Sequence, residues 1–249
     1  MRHIGLAAGC LILAACSDSD SDSAGSQAEV ERGARLVTDP KLSPAALNFV
    51  ACTTCHATGL EGPQDTLFPG APLAGTVSRG SFWAGQEEDL LGAVNHCRNY
   101  FMYADIPWQP QDPDARAIWA YLVDLDHRAP PELRQSQKLT FVNVIEDVPR
   151  GAPEKGAEIY RRACKQCHGD VHTGAGRPSS RPRLLPDESV REHAYLMQSG
   201  GPPAVRLVFI EKIRHGGFYG YGGSMPPFSR EVLIDADVGD LLEFFSLIP

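Results

Sequence analysis

The apolar positions of this chain fall into an arrangement that occurs twice. After an apolar run over residues 4–15 and a Ser/Asp stretch over residues 17–23, an amphipathic segment spans residues 29–38. Pro40 and Pro44 follow, then a short apolar run into Cys52. Residues 113–125 place Ala117, Ile118, Tyr121, Leu122 and Leu125 three or four apart, the spacing of one helix face. The alternation then returns. Residues 154–163 predict an opening helix with Gly156, Ile159 and Tyr160 available to face inward, and residues 235–247 a closing one that turns Val238, Leu241, Leu242 and Phe245 to one side. A further helix is predicted over residues 205–215. Between the halves, proline-rich ends bracket Leu139 to Ile145, a stretch of strand-like composition, so a crossing strand or an extended linker packed on both halves is expected. The pattern predicts an all-α protein with domains over residues 28–127 and 154–249 and an extended linker over 128–153.

The first residues are a separate matter. Met1-Arg2-His3, the apolar run and a small-residue context read as an export signal over residues 1–15 rather than as fold. The run is too short for a typical spanning helix. Leu13-Ala14-Ala15-Cys16 resembles the lipobox of bacterial lipoproteins, which makes Cys16 the expected lipid acceptor. Residues 16–27 suit a disordered tether, being polar, repetitive and unable to pack. The chain's 24 glycines and 20 prolines suggest short helices and long loops, a poor basis for a self-sufficient apolar core. A net charge of −8 argues against a nucleic-acid partner and leaves basic redox proteins or small anions open.

Seven cysteines sort by position. Cys10 lies in the signal and Cys16 at its end. Four form two copies of one motif, Cys52-Thr53-Thr54-Cys55-His56 and Cys164-Lys165-Gln166-Cys167-His168. C-x-x-C-H is the attachment signature of c-type haem: the thiols add across the vinyl groups of one porphyrin and the adjacent histidine lies under the ring. A four-cysteine zinc site would leave both histidines unexplained, and a redox dithiol would need a βαβ setting. Two covalent haems c, with His56 and His168 as iron ligands, are expected.

The plan of helix, C-x-x-C-H, glycine-rich loop, distal region and helix, performed twice, resembles the class I cytochrome c fold in tandem. Gly222-Gly223-Ser224-Met225-Pro226-Pro227 resembles the Met-Pro loop of that family, which implies Met225 as the second haem's sixth ligand; Lys212 and His215 are weaker candidates nearby. In the first half, laying residues 241–247 on 119–125 puts Met225 opposite Tyr103, one residue from Met102, and so nominates Met102. Cys97, the leftover thiol, competes. Asn95-x-Cys97 followed by Met102 and an Ala120-Tyr121-Leu122 helix resembles the first haem domain of the thiosulfate dehydrogenases and sulfur-oxidation cytochromes. That resemblance implies Cys97 as the axial ligand of a catalytic haem, with Arg98 attracting a sulfur anion. Tyr103-Ala104-Asp105 departs from the family there. His96 is a third candidate, and a buried structural thiol is the bland reading of Cys97.

The expected function is therefore electron transfer between redox partners, by a lipid-anchored di-haem cytochrome on the periplasmic side of a bacterial membrane, inner or outer undecided. The alternative is a haem-dependent oxidoreductase of small sulfur anions. A di-haem peroxidase is a third possibility, disfavoured by the Met225 loop.

Overall fold

The computed structural model describes residues 26–60, 65–135, 137, 139–195, 202–217 and 223–247. Residues 1–25, with Cys10, Cys16 and most of the expected tether, lie outside this set, as does Gly222. The described residues form helices, turns and loops with one isolated antiparallel bridge, Phe82 to Glu87. None of the described helices is long and apolar enough to cross a membrane.

The first half is built on α1 (Gln27–Leu36) laid across α4 (Pro113–Arg128). Ser26 caps α1 by accepting from the Glu29 amide while the Glu29 carboxylate returns to the Ser26 amide, which satisfies two of the helix's orphan donors. Pro113 occupies the first turn of α4, where its missing N–H costs nothing. The helices meet at Gly33, where any Cβ would overlap the Ala117 carbonyl and the Tyr121 Cβ. Val37, Leu73, Ala74, Ile118, Leu122, Leu125 and Ala129 pack into the core beside this crossing. Between these helices lie the one-turn α2 (Cys52–Cys55) and the longer α3 (Leu90–Met102).

The second half repeats the crossing. Its opening helix α5 (Pro153–Ala163) leads into the one-turn α6 (Lys165–His168). Then come α7 (Asp187–Glu192), α8 (Pro202–His215) and the closing α9 (Asp235–Phe244), which packs on α5. Here Gly156 meets the Asp240 carbonyl and the Phe244 Cβ as Gly33 meets its partners. The core includes Ile159, Tyr160, Val205, Phe209, Ile210, Val238, Leu241, Leu242 and Phe245. Two buried arginines of α8 are fully engaged. Arg206 donates to Asp147, Val148 and Leu247, and Arg214 to the Leu233 carbonyl and Asp235, so the charges lie among carbonyls and carboxylates instead of bare apolar groups.

The segment with strand-like composition is extended but forms no strand among the described residues. Its polar groups are satisfied by the second half: Thr140 donates through its amide and hydroxyl to Glu231, its carbonyl accepts from the Arg230 amide, and the Val142 carbonyl accepts from His215 Nε2. A linker so pinned has no need of a neighbouring strand. The predicted helices form with ends displaced by at most three residues. α3, which the sequence reading did not identify as a helix, starts at Asp89, whose carboxylate accepts from the Gly92 amide at 2.6 Å.

Candidate functional site

Both C-x-x-C-H motifs form a single helical turn, which brings the paired thiols to one side. The histidine that follows each is fixed in the same way. His56 Nδ1 lies 2.6 Å from the Ala71 carbonyl oxygen, and His168 Nδ1 lies 2.8 Å from that of Arg183, each fifteen residues further along. A carbonyl only accepts, so Nδ1 carries the proton in both rings and Nε2 keeps a free lone pair. Burial lowers the pKa of both imidazoles, which keeps them neutral and able to ligate. The bond also fixes ring orientation, as hydrogen-bond partners of metal-binding histidines do.

In the first half these residues line a cavity of about 470 Å³ with mostly apolar walls. Cys52, Cys55 and His56 form one side; α3 brings Cys97, Arg98 and Met102, and α4 brings Ile118 and Leu122. Leu139 and Phe141 of the linker and Pro226 and Pro227 of the second half complete the wall. Met102 is buried beside Leu42 and Val50. Burial pushes the Cys97 thiol up to about 12, with Cys52 adding to the effect. His96 does not line the cavity: its Nε2 faces Glu87 at 3.3 Å on the outer side of α3, which sets it aside as a ligand.

Arg98 is the unusual member of this wall. It is 5% exposed, its guanidinium carbon stacks 3.8 Å from the Trp108 ring centroid, and Nη1 donates to Asn95 and to the Ile106 carbonyl. Its buried Nε has no hydrogen-bond partner among the described residues. The engaged Arg206 and Arg214 show how this fold treats a buried guanidinium that has no outside ligand to meet. An unmet donor on a cavity wall fits a carboxylate or another anion arriving in that cavity. Arg79 lines the same space, but its donors go to Ala74, Thr76 and Leu133.

The structure changes the register of the repeat. Gly33 and Gly156 occupy equivalent crossings, as do Ala117 and Asp240, and both pairs are 123 residues apart. The sequence alignment above used one residue fewer. At the structural offset Met225 falls on Met102 itself, not on Tyr103. At this offset Ile118 pairs with Leu241 and Leu122 with Phe245, all four buried, while exposed Trp119 meets a buried leucine in either register. Met225 packs partly buried on the second core, and its carbonyl accepts from the Gly217 amide at 2.7 Å. His215, the weaker candidate, directs Nε2 to the Val142 carbonyl.

The two motifs meet. Gln166 Nε2 donates to the Thr54 carbonyl at 3.2 Å, the Leu67 amide to that of Arg162 at 3.0 Å, and Arg161 forms an ion pair with Asp65. Burial drives the Cys55 thiol well above its ordinary range, and Cys167 from the other half raises it further. Among the described residues no group of three or more His, Cys, Asp or Glu side chains is placed to hold a metal ion.

This geometry, in the second half, is that of a c-type cytochrome domain. Residues 151–245 match the family of cytochrome c oxidase, cbb3-type, subunit III, and the matched stretch holds Cys164, Cys167, His168 and Met225. Covalently bound haem c and electron transfer go with such a domain. No curated protein matches the chain significantly.

Proposed function

We propose that the chain is a di-haem cytochrome c, held by a lipid on Cys16 to the periplasmic side of a bacterial membrane, and that it passes single electrons between redox proteins. The observation that carries this reading is the shared proximal bond. Two histidines, each after a C-x-x-C turn, are fixed through Nδ1 by a carbonyl fifteen residues on, and each offers Nε2. In the first half Cys52 and Cys55 would attach the group, His56 ligate its iron, Arg98 meet a peripheral carboxylate, and the apolar wall exclude water. Cys164, Cys167, His168 and Met225 would serve the second. Bound haem c would supply a one-electron iron couple, and a methionine with a histidine as its protein ligands would raise the potential. The carbonyl bond on each imidazole would hold its orientation for that role. The contact between α2 and α6 favours transfer within the chain. Haem content per chain, measured as the pyridine haemochrome, tests the reading: two haems support it, and one or none sinks it. Lipid on Cys16 is read by mass spectrometry of the exported protein; an unmodified thiol there removes the anchor.

A second reading has its own support. Cys97 and the unmet Arg98 donor share the first cavity, as a site for a small sulfur anion would require. Thiosulfate-dependent haem reduction together with a thiolate-type low-spin EPR signal would establish it. Methionine-type signals alone and no reduction by thiosulfate would leave a pure electron carrier.

A further inference from the structure

Met102 ends α3, and the next residue, Tyr103, caps the helix in the left-handed region at φ 56°. The amides of Tyr103 and Ala104 both reach the Arg98 carbonyl, so this one residue directs the chain out of the last turn. A side chain with a Cβ has no local preference for that conformation. Its side chain must be held from elsewhere, and the second half does so. The Arg181 guanidinium carbon lies 4.1 Å from the Tyr103 ring centroid, while Nη2 donates to the phenol oxygen. One side chain grips both the face and the edge of the ring.

Arg181 stands two residues before Arg183, whose carbonyl fixes His168 Nδ1. Pro182 between them has a restricted φ, and its carbonyl accepts from Arg177 Nη1 at 2.9 Å. A stiff tripeptide therefore touches the proximal histidine of the second site at one end and the distal helix of the first site at the other.

We infer that Arg181 is a positioning residue for the first site: acting through Tyr103, it sets the pose of the last turn of α3 and of Met102. The inference rests on the di-haem reading. Its test uses the full chain carrying both haems. Arg181→Gln is expected to alter the first haem's low-spin EPR signal and weaken its sulfur-to-ferric-iron charge-transfer band. It should also shift that haem's reduction equilibrium about tenfold, which is about 59 mV for one electron. Tyr103→Phe keeps the stacked face and loses only the hydroxyl, so it should move the same signals in the same direction by less. It also serves if the arginine variant folds poorly. Arg191→Gln, at an exposed arginine of α7, should leave the first haem unchanged. Wild-type signals and midpoints for the first haem in both Arg181→Gln and Tyr103→Phe overturn the inference, as does a change confined to the second haem. A wild-type chain with fewer than two haems overturns the di-haem reading instead, and the haem content separates the two failures.

Discussion

The two halves share a frame and differ on the side opposite their histidines. Each crosses its opening and closing helices at a glycine, and each fixes its histidine with a carbonyl fifteen residues downstream. Beyond that they diverge. In the second half Met225 sits on a loop whose carbonyl is tied to Gly217, within its own half. In the first half Met102 ends a helix, beside a cavity whose wall is completed by the linker and by Pro226 and Pro227 of the other half. A repeat keeps the contacts that form the fold, while the distal side responds to what packs against it.

On the di-haem reading, replacing Cys52 and Cys55 together by Ser should reduce haem content from two per chain to one, and replacing Cys164 and Cys167 should do the same; haemochrome titration shows whether the halves load independently. Next is the frame. Gly33→Ala and Gly156→Ala each put a methyl group into a backbone carbonyl, and each should cost about 3 kcal/mol, at the upper end for overpacking. Thermal unfolding measures both, and equal losses would show the crossings to be equivalent.

The methionines separate the two halves next. Met225→Leu should lower the second haem's midpoint and remove its sulfur charge-transfer band. Met102→Leu should do this at the first haem if the corrected register governs ligation, with Cys97→Ala leaving that spectrum intact; the opposite pair of results assigns the iron to Cys97. The smallest effect concerns the linker. Burial alone would raise the Glu231 carboxyl, but the hydrogen bonds it accepts, those from the Thr140 hydroxyl and amide foremost, together hold it down to about 2. A carboxylate depressed on folding stabilises above its unfolded value and loses that contribution as pH falls through the folded one. The linker's attachment should therefore weaken between about pH 4.5 and 2, followed by amide exchange at residue 140, and Glu231→Gln should flatten that dependence.

Much of this was legible in the sequence, for identifiable reasons. Helical spacing located Ile118, Leu122, Leu241 and Leu242 in the two cores, because one buried face imposes one period. The C-x-x-C-H spacing carries its own chemistry. The register was missed by one residue because the alignment matched residue type along helices whose buried faces differ: Trp119 is exposed and Leu242 is not. The glycine crossings correct it, since close backbone approach tolerates no Cβ. α3 is hard to read from composition because polar His96, Arg98 and Asn99 crowd the stretch, although Asp89 and the spacing of Leu90, Val94, Cys97 and Phe101 carry the signal. The grip of Arg181 on Tyr103 joins residues 78 positions apart, and no local pattern encodes it.

The seam between α2 and α6 has a consequence for how such a chain is made. Gln166 bonded to Thr54, Leu67 bonded to Arg162, and the Asp65 ion pair together cover the flank on which Cys55 and Cys167 approach each other. On the di-haem reading, the thiols on this flank are easiest to reach while the halves are apart, which favours haem attachment before docking.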